Sequence, residues 1–331
     1  MTQRVVLRAD GSGETGYGHF IRTLALAGYL KNDFDCHFAT YNSTNILPTD
    51  YQFEEIAKVC DYIPLGETLE EANADFLDSL QPEDIVVLDN YYYTTDYQRA
   101  IKDKGCRLVC IDDMHDRKMV CNLLMTACPL KREDFSLEPY TKFVSGIEWA
   151  FLREPFLKPN IIRNIPSTIN SVVIAMGGAD PFKLTDKMIR VVKAVLPSAQ
   201  INVMAGDTVT VSKESSNMAV IQRRLNAEQI VELFDGSDFG IFPASTVCME
   251  AFSRKLPVAV GHYVNNQEEF YEYGVAHKMF YRLGSLLDDE EAITNRLRDI
   301  ITNNKPVPTA IIDFNKQKKK IIDLFKDLST Q

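Results

Sequence analysis

The strongest constraint on the fold is an alternation of short apolar runs with longer amphipathic stretches. Six runs in the first half are short and mostly apolar, several of them rich in β-branched residues: Val5–Leu7, His37–Ala39, Ile85–Leu88, Leu108–Ile111, Leu123–Met125 and Phe143–Val144. Short apolar strands separated by helices are typical of a parallel sheet that helices cover on both faces. The first half of the chain therefore predicts an α/β domain of Rossmann type.

The pattern breaks between Leu152 and Asn170, where three prolines and little periodicity indicate a domain linker. The alternation then restarts in five further runs: Val172–Met176, Ile201–Met204, Ala219–Ile221, Gly240–Phe242 and Val258–Val260. We expect two Rossmann-like domains, residues 1–155 and 156–305, and a helical segment, 306–331, that packs back toward the first domain. Ligands of such sheets bind beyond the carboxyl ends of the strands, so we expect the site in a cleft between facing domains.

The charge balance narrows the possible partners. The chain has 36 Lys+Arg against 46 Asp+Glu, a net charge of −10, and its only basic run is Lys316 with Lys318–Lys320. A nucleic-acid surface needs clustered cations to neutralise phosphates, so this balance excludes nucleic acid as a partner. We expect the basic run to form a solvated helix face.

The cysteines and the apolar segments indicate the compartment. Seven cysteines occur, an odd number without a C-x-x-C pair, which predicts buried reduced thiols instead of disulfides or a zinc site. No apolar run has the length of a signal-peptide core or a membrane span. These features predict a cytoplasmic, unanchored protein, and we expect a monomer or a weak homodimer.

The loop Gly11–His19, between a strand and a helix at 20–30, contains G-x-G-x-x-G, the dinucleotide fingerprint. That fingerprint also needs an acidic residue at the end of the second strand, but Thr40–Ser43 lacks one, so we expect no nicotinamide or other cofactor. The loop instead brings His19 to the first turn of the helix, whose positive end favours the neutral imidazole of a general base. A capping or packing role for His19 is the alternative. No histidine pair has metal-ligand spacing, and no metal is expected.

Two loops of the second domain are candidates for binding an anion. Gly177 and Gly178 end a strand, with a helix expected to begin at Pro181, so that backbone N–H groups form a cradle; a plain tight turn is the alternative. The junction at Ser245 and Thr246 repeats this logic with hydroxyls. One turn later, Glu250 is placed to accept from a ribose diol. The alternative is an ordinary N-cap with Glu250 on a solvated face.

Other polar residues follow strands of the same sheets. The amides of Asn265–Gln267 suit sugar hydroxyls or N-acetyl groups, and Asp89–Tyr91 closes a strand of the first domain. The tyrosines at 91–93 are equally consistent with packing. Asp112–Asp113 raises the question of acid–base chemistry, although caps and turns are the more frequent role of such pairs.

Taken together, eight segments carry a resemblance to a known family: Arg8–Asp10, Gly16–Arg22, Asp89–Tyr91, Ile111–Asp113, Gly146–Phe156, Gly177–Pro181, Ser245–Glu250 and Asn266–Gln267. In this order, and over nearly the full chain, they resemble the UDP-2,4-diacetamido-2,4,6-trideoxy-β-L-altropyranose hydrolases of pseudaminic acid biosynthesis, a nonulosonic acid pathway. That family is similar in turn to the GT-B glycosyltransferases in fold and UDP site. The resemblance implies a GT-B protein with two Rossmann-like domains.

The resemblance also implies a reaction: without a metal, water attacks the anomeric carbon of a UDP-sugar with inversion and expels UDP. His19 matches the catalytic histidine that activates or positions the water, and Tyr91 matches the tyrosine of an Asp-His-Tyr motif. The other matches are Gly16, Gly18, Arg22, Asn266 and Gln267 on the sugar side, and Gly177, Gly178, Leu225, Asn226, Ser245, Thr246 and Glu250 on the UDP side.

Two departures from the family pattern bear on the sugar. Asn90 stands where the family has a histidine, and Gly11–Glu14 is richer in glycine than is common in relatives. Either departure is consistent with a different sugar. Two further functions stay open: a GT-B glycosyltransferase that uses His19 as base on an acceptor hydroxyl, and a non-catalytic sugar-nucleotide-binding protein.

Overall fold

The computed structural model of the chain describes residues 2–11, 17–41, 50–158, 168–303 and 313–330. The chain forms two compact units: the first comprises Met1–Arg153 and Asp313–Gln331, and the second comprises Glu154–Ile312. The first boundary expected from the sequence, 155/156, lies two residues after this one. The second expected boundary, 305/306, lies outside the described residues.

The described strands are β1 Arg4–Ala9, β2 Asp35–Ala39, β3 Asp61–Ile63, β4 Ile85–Asp89, β5 Arg107–Ile111, β6 Lys118–Met119, β7 Leu123–Thr126, β8 Ser136–Leu137, β9 Lys142–Ser145, β10 Ser171–Ile174, β11 Gln200–Met204, β12 Val220–Gln222, β13 Phe239–Pro243, β14 Val258–His262 and β15 Tyr281–Ser285. The described α-helices are α1 Gly18–Leu30, α2 Asp50–Ala57, α3 Leu69–Ser79, α4 Thr95–Asp103, α5 Glu154–Leu157, α6 Leu184–Val195, α7 Lys213–Ser216, α8 Ala227–Asp235, α9 Thr246–Ser253, α10 Glu268–Ala276, α11 Glu290–Thr302 and α12 Phe314–Ser329.

The first unit contains a seven-stranded sheet in the order β3-β2-β1-β4-β5-β7-β9. Its strands are parallel, and Ala9 of β1 stands opposite Asp89 of β4. Val5, Val6 and Leu7 are fully buried, as expected for a central strand with helices on both faces. The six apolar runs of the first half therefore form strands, as predicted.

The second unit contains a six-stranded parallel sheet in the order β12-β11-β10-β13-β14-β15. Its core lies between β10, β11 and the apolar faces of α6 and α11, and includes the fully buried Ile174, Ile189 and Leu297. The five runs predicted for this half are confirmed as strands. Each half is thus a Rossmann-like α/β unit, which confirms the predicted fold class.

One helix begins later than its sequence suggests. Proline is favoured in the first turn of helices, and the sequence analysis starts a helix at Pro181; the structure starts α6 at Leu184. The carboxylate of Asp180 accepts hydrogen bonds from the N–H groups of Leu184 and Thr185, at 2.7 and 2.9 Å. The prediction that the helix starts at Pro181 was therefore wrong, because Asp180 caps a helix whose first N–H groups are those of Leu184 and Thr185.

The C-terminal helix α12 belongs to the first unit, which agrees with the fold predicted for the tail. The amide of Gln317 donates to the carbonyl of Ala150, and the Phe325 ring lies 6.3 Å from the ring of Phe34. Lys316, Lys319 and Lys320 are exposed, as expected for a solvated helix face. Lys318 departs from this expectation, because it is half-buried and its Nζ lies 5.4 Å from the centre of the Tyr29 ring.

The seven cysteines are free, and all except Cys60 are buried. Burial raises the pKa of the Cys60 thiol to about 12 and that of the Cys106 thiol to about 11, so both are protonated at neutral pH. Among the helices of the described ranges, none combines the length and apolar character that crossing a bilayer requires.

The position of α12 leads to a stability prediction. Phe325 is fully buried, so the Phe325→Ala substitution leaves a cavity between α12 and the rest of the first unit, and we expect the free energy of unfolding to fall by ~3–5 kcal/mol. Trp149, the single tryptophan, lies in this unit, so its fluorescence during urea unfolding measures the loss. Lys319→Ala on the exposed face is the control, and an equal loss in both variants would contradict the packing described.

Candidate active site

The topology of each sheet indicates where a ligand binds. In a doubly wound sheet the crevice lies at the switch point, where successive connections leave in opposite directions. That point lies between β1 and β4 in the first sheet and between β10 and β13 in the second. His19 and Tyr91 follow β1 and β4, while Gly177 and Ser245 follow β10 and β13. The predicted residues therefore stand at the two switch points.

His19, in the first turn of α1, is held by a carboxylate. Its Nδ1 lies 2.7 Å from Oδ1 of Asp89, the last residue of β4. An ionised carboxylate only accepts hydrogen bonds, so the contact with Asp89 favours a proton on Nδ1 and leaves Nε2 outside this bond; Nη2 of Arg22, which also only donates, lies 3.1 Å from the same Nδ1. The His19 side chain is 16% exposed, whereas that of Asp89 is fully buried. This arrangement is a carboxylate–histidine pair in which the histidine reaches solvent.

Asp89 is also bound by two other side chains of α1. Arg22 donates to both of its carboxylate oxygens, at 2.7 and 2.6 Å, and the hydroxyl of Thr23 donates to Oδ2 at 2.6 Å. Burial opposes ionisation, but the charges of Arg22 and His19 and their hydrogen bonds outweigh it and lower the pKa of Asp89 below its usual range. Asp89 is therefore a carboxylate throughout the physiological pH range.

Arg22 is occupied within this network. Besides Asp89, its Nη1 donates to Oδ2 of Asp113 at 3.4 Å. The placement of Arg22 on the sugar side stays a prediction. In the structure, the guanidinium of Arg22 neutralises the charge of Asp89. The partner Asp113 belongs to the acidic pair for which the sequence favours a structural role, and Asp112 accepts from the N–H groups of Met114 and His115 as a turn acceptor.

Tyr91 packs directly on the histidine. The two rings are 4.5 Å apart and nearly perpendicular, at 85°, so Tyr91 limits rotation of the imidazole. Asn90 accepts a hydrogen bond from the N–H of Tyr91 at 2.7 Å. Gly18 opens α1, and a Cβ built on it meets no described atom within 4 Å. Gly16, the other glycine predicted on the sugar side, lies outside the described residues.

A second buried carboxyl stands at the end of β1. Oδ1 of Asp10 accepts from the N–H of Tyr41 at 2.7 Å, and its Oδ2 lies 3.7 Å from Nη2 of Arg8. Burial raises the pKa of Asp10 to about 6, although Arg8, the N–H of Tyr41 and the charge of His19 oppose the shift. Asp10 thus carries a proton in part of its population near neutral pH.

In the second unit, the Gly177–Gly178 turn follows β10. Gly177 has a φ of +93°, which side-chain-bearing residues rarely adopt, so the turn needs glycine there. A Cβ on Gly177 would also lie 3.2 Å from the hydroxyl of Tyr263. The turn is therefore shaped by backbone geometry, with Tyr263 packed against it.

Helix α9 begins at Thr246, with Ser245 at the N-cap position. The Ser245 hydroxyl makes no capping bond and donates instead to the carbonyl of Pro243, at 3.4 Å. The ordinary N-cap interpretation of Ser245 was therefore wrong for its side chain. Glu250 is 5% exposed, which likewise contradicts the solvated-face interpretation of that residue.

The remaining predicted residues have local roles. Asn226 caps α8, accepting from the N–H of Gln229 at 2.9 Å, and Leu225 precedes it. Gln267 is buried and accepts from the N–H of Tyr263 at 2.9 Å, whereas Asn266 is exposed. Their assignments to the uracil and the sugar stay predictions. Within the described ranges, no group of three or more His, Cys, Asp and Glu side chains has the arrangement of a metal site.

Asp89 is the residue whose role the sequence reasoning missed. The sequence predicts that Asp89 ends a strand, but the contact between Asp89 and His19, 70 residues away, became evident only from the structure. The available signal was positional: an acidic residue ends one strand of the switch point, and a histidine opens the helix after the other.

No protein-family model matches the chain. It is 24% identical over 286 residues to the uncharacterized protein MJ1062 of Methanocaldococcus jannaschii, a match that covers 81% of this chain and 57% of that protein. The chain thus spans little more than half the length of this relative.

The chain is also 24% identical over 281 residues to the UDP-2,4-diacetamido-2,4,6-trideoxy-β-L-altropyranose hydrolase of Campylobacter jejuni. This match covers 80% of the chain and 93% of the hydrolase. The predicted resemblance to this hydrolase family is confirmed.

Solved structures extend the likeness over the whole chain. Spinosyn forosaminyltransferase SpnP has a TM-score of 0.62 at 12% identity, and the match covers 99% of both chains. The fold is GT-B. MnaA of S. aureus, solved with UDP, has the same TM-score at 11% identity, covering 100% of this chain and 98% of that chain. The predicted GT-B class is confirmed, and at these identities the likeness shows the fold alone.

The Asp89 network predicts a pH-dependent stability. The pKa of Asp89 is lower in the folded chain than its unfolded value of about 3.9, so its contribution is present above that pH and lost as the pH falls further. The Asp89→Asn substitution removes the closer charge partner of Arg22 and leaves the 3.4 Å contact with Asp113. We expect a loss of ~3–5 kcal/mol in the free energy of unfolding at neutral pH, and a smaller further loss on acidification than in the wild type.

Urea unfolding followed by Trp149 fluorescence at several pH values measures this difference. Asp96→Asn is the matched control, because the Asp96 side chain is 89% exposed and pairs only with Arg99 on the same helix among its ion partners in the described residues. Parallel pH profiles of the wild type and Asp89→Asn would contradict the assigned ionisation of Asp89.

Proposed function

We propose that the protein hydrolyses a UDP-linked diacetamido-trideoxyhexose at the anomeric C–O bond, releasing UDP and the free sugar, a step of nonulosonic acid biosynthesis. The observation that carries the proposal is the Asp89–His19 pair at the switch point of the first sheet. A histidine with its Nδ1–H held by a buried carboxylate and its Nε2 available is built to accept a proton.

The proposed reaction uses this pair directly. Water attacks the anomeric carbon while the bond from that carbon to the diphosphate oxygen breaks, and the bonding electrons leave with UDP. The proton of the water passes to Nε2 of His19, and Asp89 stabilises the imidazolium that forms. Tyr91 keeps the ring in place, which serves the in-line geometry that the displacement needs.

The second unit suits the UDP side of the proposal. The side chain of Ser245 does not cap α9, so the positive end of that helix stays open beside Thr246. By contrast, Asp180 and Asn226 accept from N–H groups in the first turns of α6 and α8. An uncapped helix start at a switch point, next to a glycine turn, favours an anionic group. Under this proposal the diphosphate needs no metal, and Glu250 accepts hydrogen bonds from the ribose diol.

The relatives support the nature of the substrate. The Campylobacter protein is by name a hydrolase of a UDP-diacetamido-trideoxyhexose, and MnaA was solved with UDP. The exact sugar is the most specific part of the proposal, and the identity to the Campylobacter protein is 24%. Asn90, which stands where the hydrolase family has a histidine, is the sequence difference that bears on the identity of the sugar. The two competing functions, a glycosyltransferase and a non-catalytic binding protein, are distinguished by the UDP-release assay.

The decisive assay incubates the protein with UDP-2,4-diacetamido-2,4,6-trideoxy-β-L-altropyranose, EDTA and no acceptor, and follows UDP and free sugar by chromatography. We expect equal amounts of both products, in the presence of EDTA. UDP release that requires an acceptor would indicate a transferase, and binding without release would indicate a non-catalytic protein.

His19→Ala tests the assigned base. We expect kcat for UDP release to fall by ~10²–10⁴-fold, because the water loses its proton acceptor. The affinity for UDP, measured by calorimetry, is expected to stay unchanged. His277→Ala, at the exposed end of α10, is the matched control with wild-type kcat. Undiminished UDP release by His19→Ala would contradict the assignment.

A further inference from the structure

The Gly177–Gly178 turn contacts a glycine from the neighbouring strand. Gly206 follows β11 closely, and a Cβ built on it would overlap the carbonyl oxygen of Gly178 and lie 2.8 Å from its carbonyl carbon. Both distances are below those that Cβ atoms adopt in proteins. Any side chain at 206 therefore displaces the peptide group that joins Gly178 to Ala179.

The orientation of that peptide follows from its planarity. Among the described residues there is no cis peptide bond, and in a trans peptide the C=O and the following N–H point in opposite directions. The carbonyl oxygen of Gly178 is its atom nearest to the built Cβ, so it faces Gly206. The N–H of Ala179 consequently points away from Gly206.

Gly206 is itself held in place by an arginine. The guanidinium of Arg223 donates to the carbonyl of Gly206 and, at 2.7 Å, to that of Val209. The N–H of Val209 closes the same turn on the carbonyl of Gly206, at 3.2 Å. A long-range contact from the end of β12 thus fixes the residue that supports Gly178.

The preceding residues of the turn have a second support. The hydroxyl of Tyr263 lies 3.5 Å from the carbonyl of Met176, and Gln267 accepts from the N–H of Tyr263. With Gly206 against Gly178 and Tyr263 against Met176 and Gly177, two separate contacts define the backbone that precedes Ala179.

We propose that Gly206, held by Arg223, is a positioning residue that orients the Gly178–Ala179 peptide so that the Ala179 N–H is presented to a phosphate group. The inference rests on the proposed function and deepens it, because it names the backbone donor for the diphosphate and the residues that aim it. The role of Gly206 is purely steric, because the absence of a side chain lets the carbonyl of Gly178 approach it. Arg223 holds the Gly206 backbone in place.

The test compares UDP, inorganic pyrophosphate and uridine as ligands of the wild type and of Gly206→Ala, by calorimetry or competition. A lost hydrogen bond to a charged group weakens binding about 10- to 100-fold, so we expect losses of that size for UDP and pyrophosphate and none for uridine. With UDP-sugar we expect a raised KM and a nearly unchanged kcat. Loss of uridine binding as well would indicate general damage to the unit and would overturn the positioning role.

Gly28→Ala in α1 is the matched control, because the same added methyl there has its nearest neighbour at 4.0 Å. If Gly206→Ala does not fold, Arg223→Met decides, since it adds no atom against Gly178; we expect UDP binding about 3- to 10-fold weaker. A folded variant with wild-type affinity for UDP would overturn the inference alone. Wild-type protein that binds neither UDP nor pyrophosphate would instead overturn the proposed function.

Discussion

The candidate active site depends on one buried carboxylate. Asp89 is fully enclosed at the end of β4, and ionisation in such a place is costly unless charges and hydrogen bonds offset it. Four donors from α1 do so: the ring of His19, two nitrogens of Arg22 and the hydroxyl of Thr23. The same bonds attach the helix to the sheet and orient the ring of the histidine. Fold and chemistry here share a single set of interactions.

The switch point of the second unit is built by other means. Where the first switch point relies on paired charges, the second relies on missing side chains at Gly177 and Gly206 and on a helix start whose serine does not cap it. Backbone N–H groups can hold an anion without cationic side chains, which is consistent with a chain of net charge −10.

How well the sequence predicts a strand depends on how deeply that strand is buried. Central strands such as β4, which is apolar from Ile85 to Leu88, were predicted, whereas two edge strands, Asp61–Ile63 and Tyr281–Ser285, carry polar, partly exposed residues and were missed. The start of α6 was misplaced because Pro181 is visible in the sequence as a helix-start signal, whereas the cap formed by Asp180 depends on its backbone conformation. His19 and Tyr91 were found from motifs, but the role of Asp89 arises from a contact across 70 residues, which local patterns do not encode.

The placement of α12 has a consequence for biosynthesis. The first unit comprises residues up to Arg153 together with Asp313–Gln331, so the second unit is synthesised in full before α12 exists. Gln317 and Phe325 supply buried contacts to the first unit, and until they leave the ribosome the surface around Ala150 and Phe34 stays uncovered. Domains generally fold as units during synthesis, so the second unit reaches its native state first and the half that carries His19 is completed last. A nascent chain that stops short of α12 therefore exposes apolar surface to chaperones and proteases.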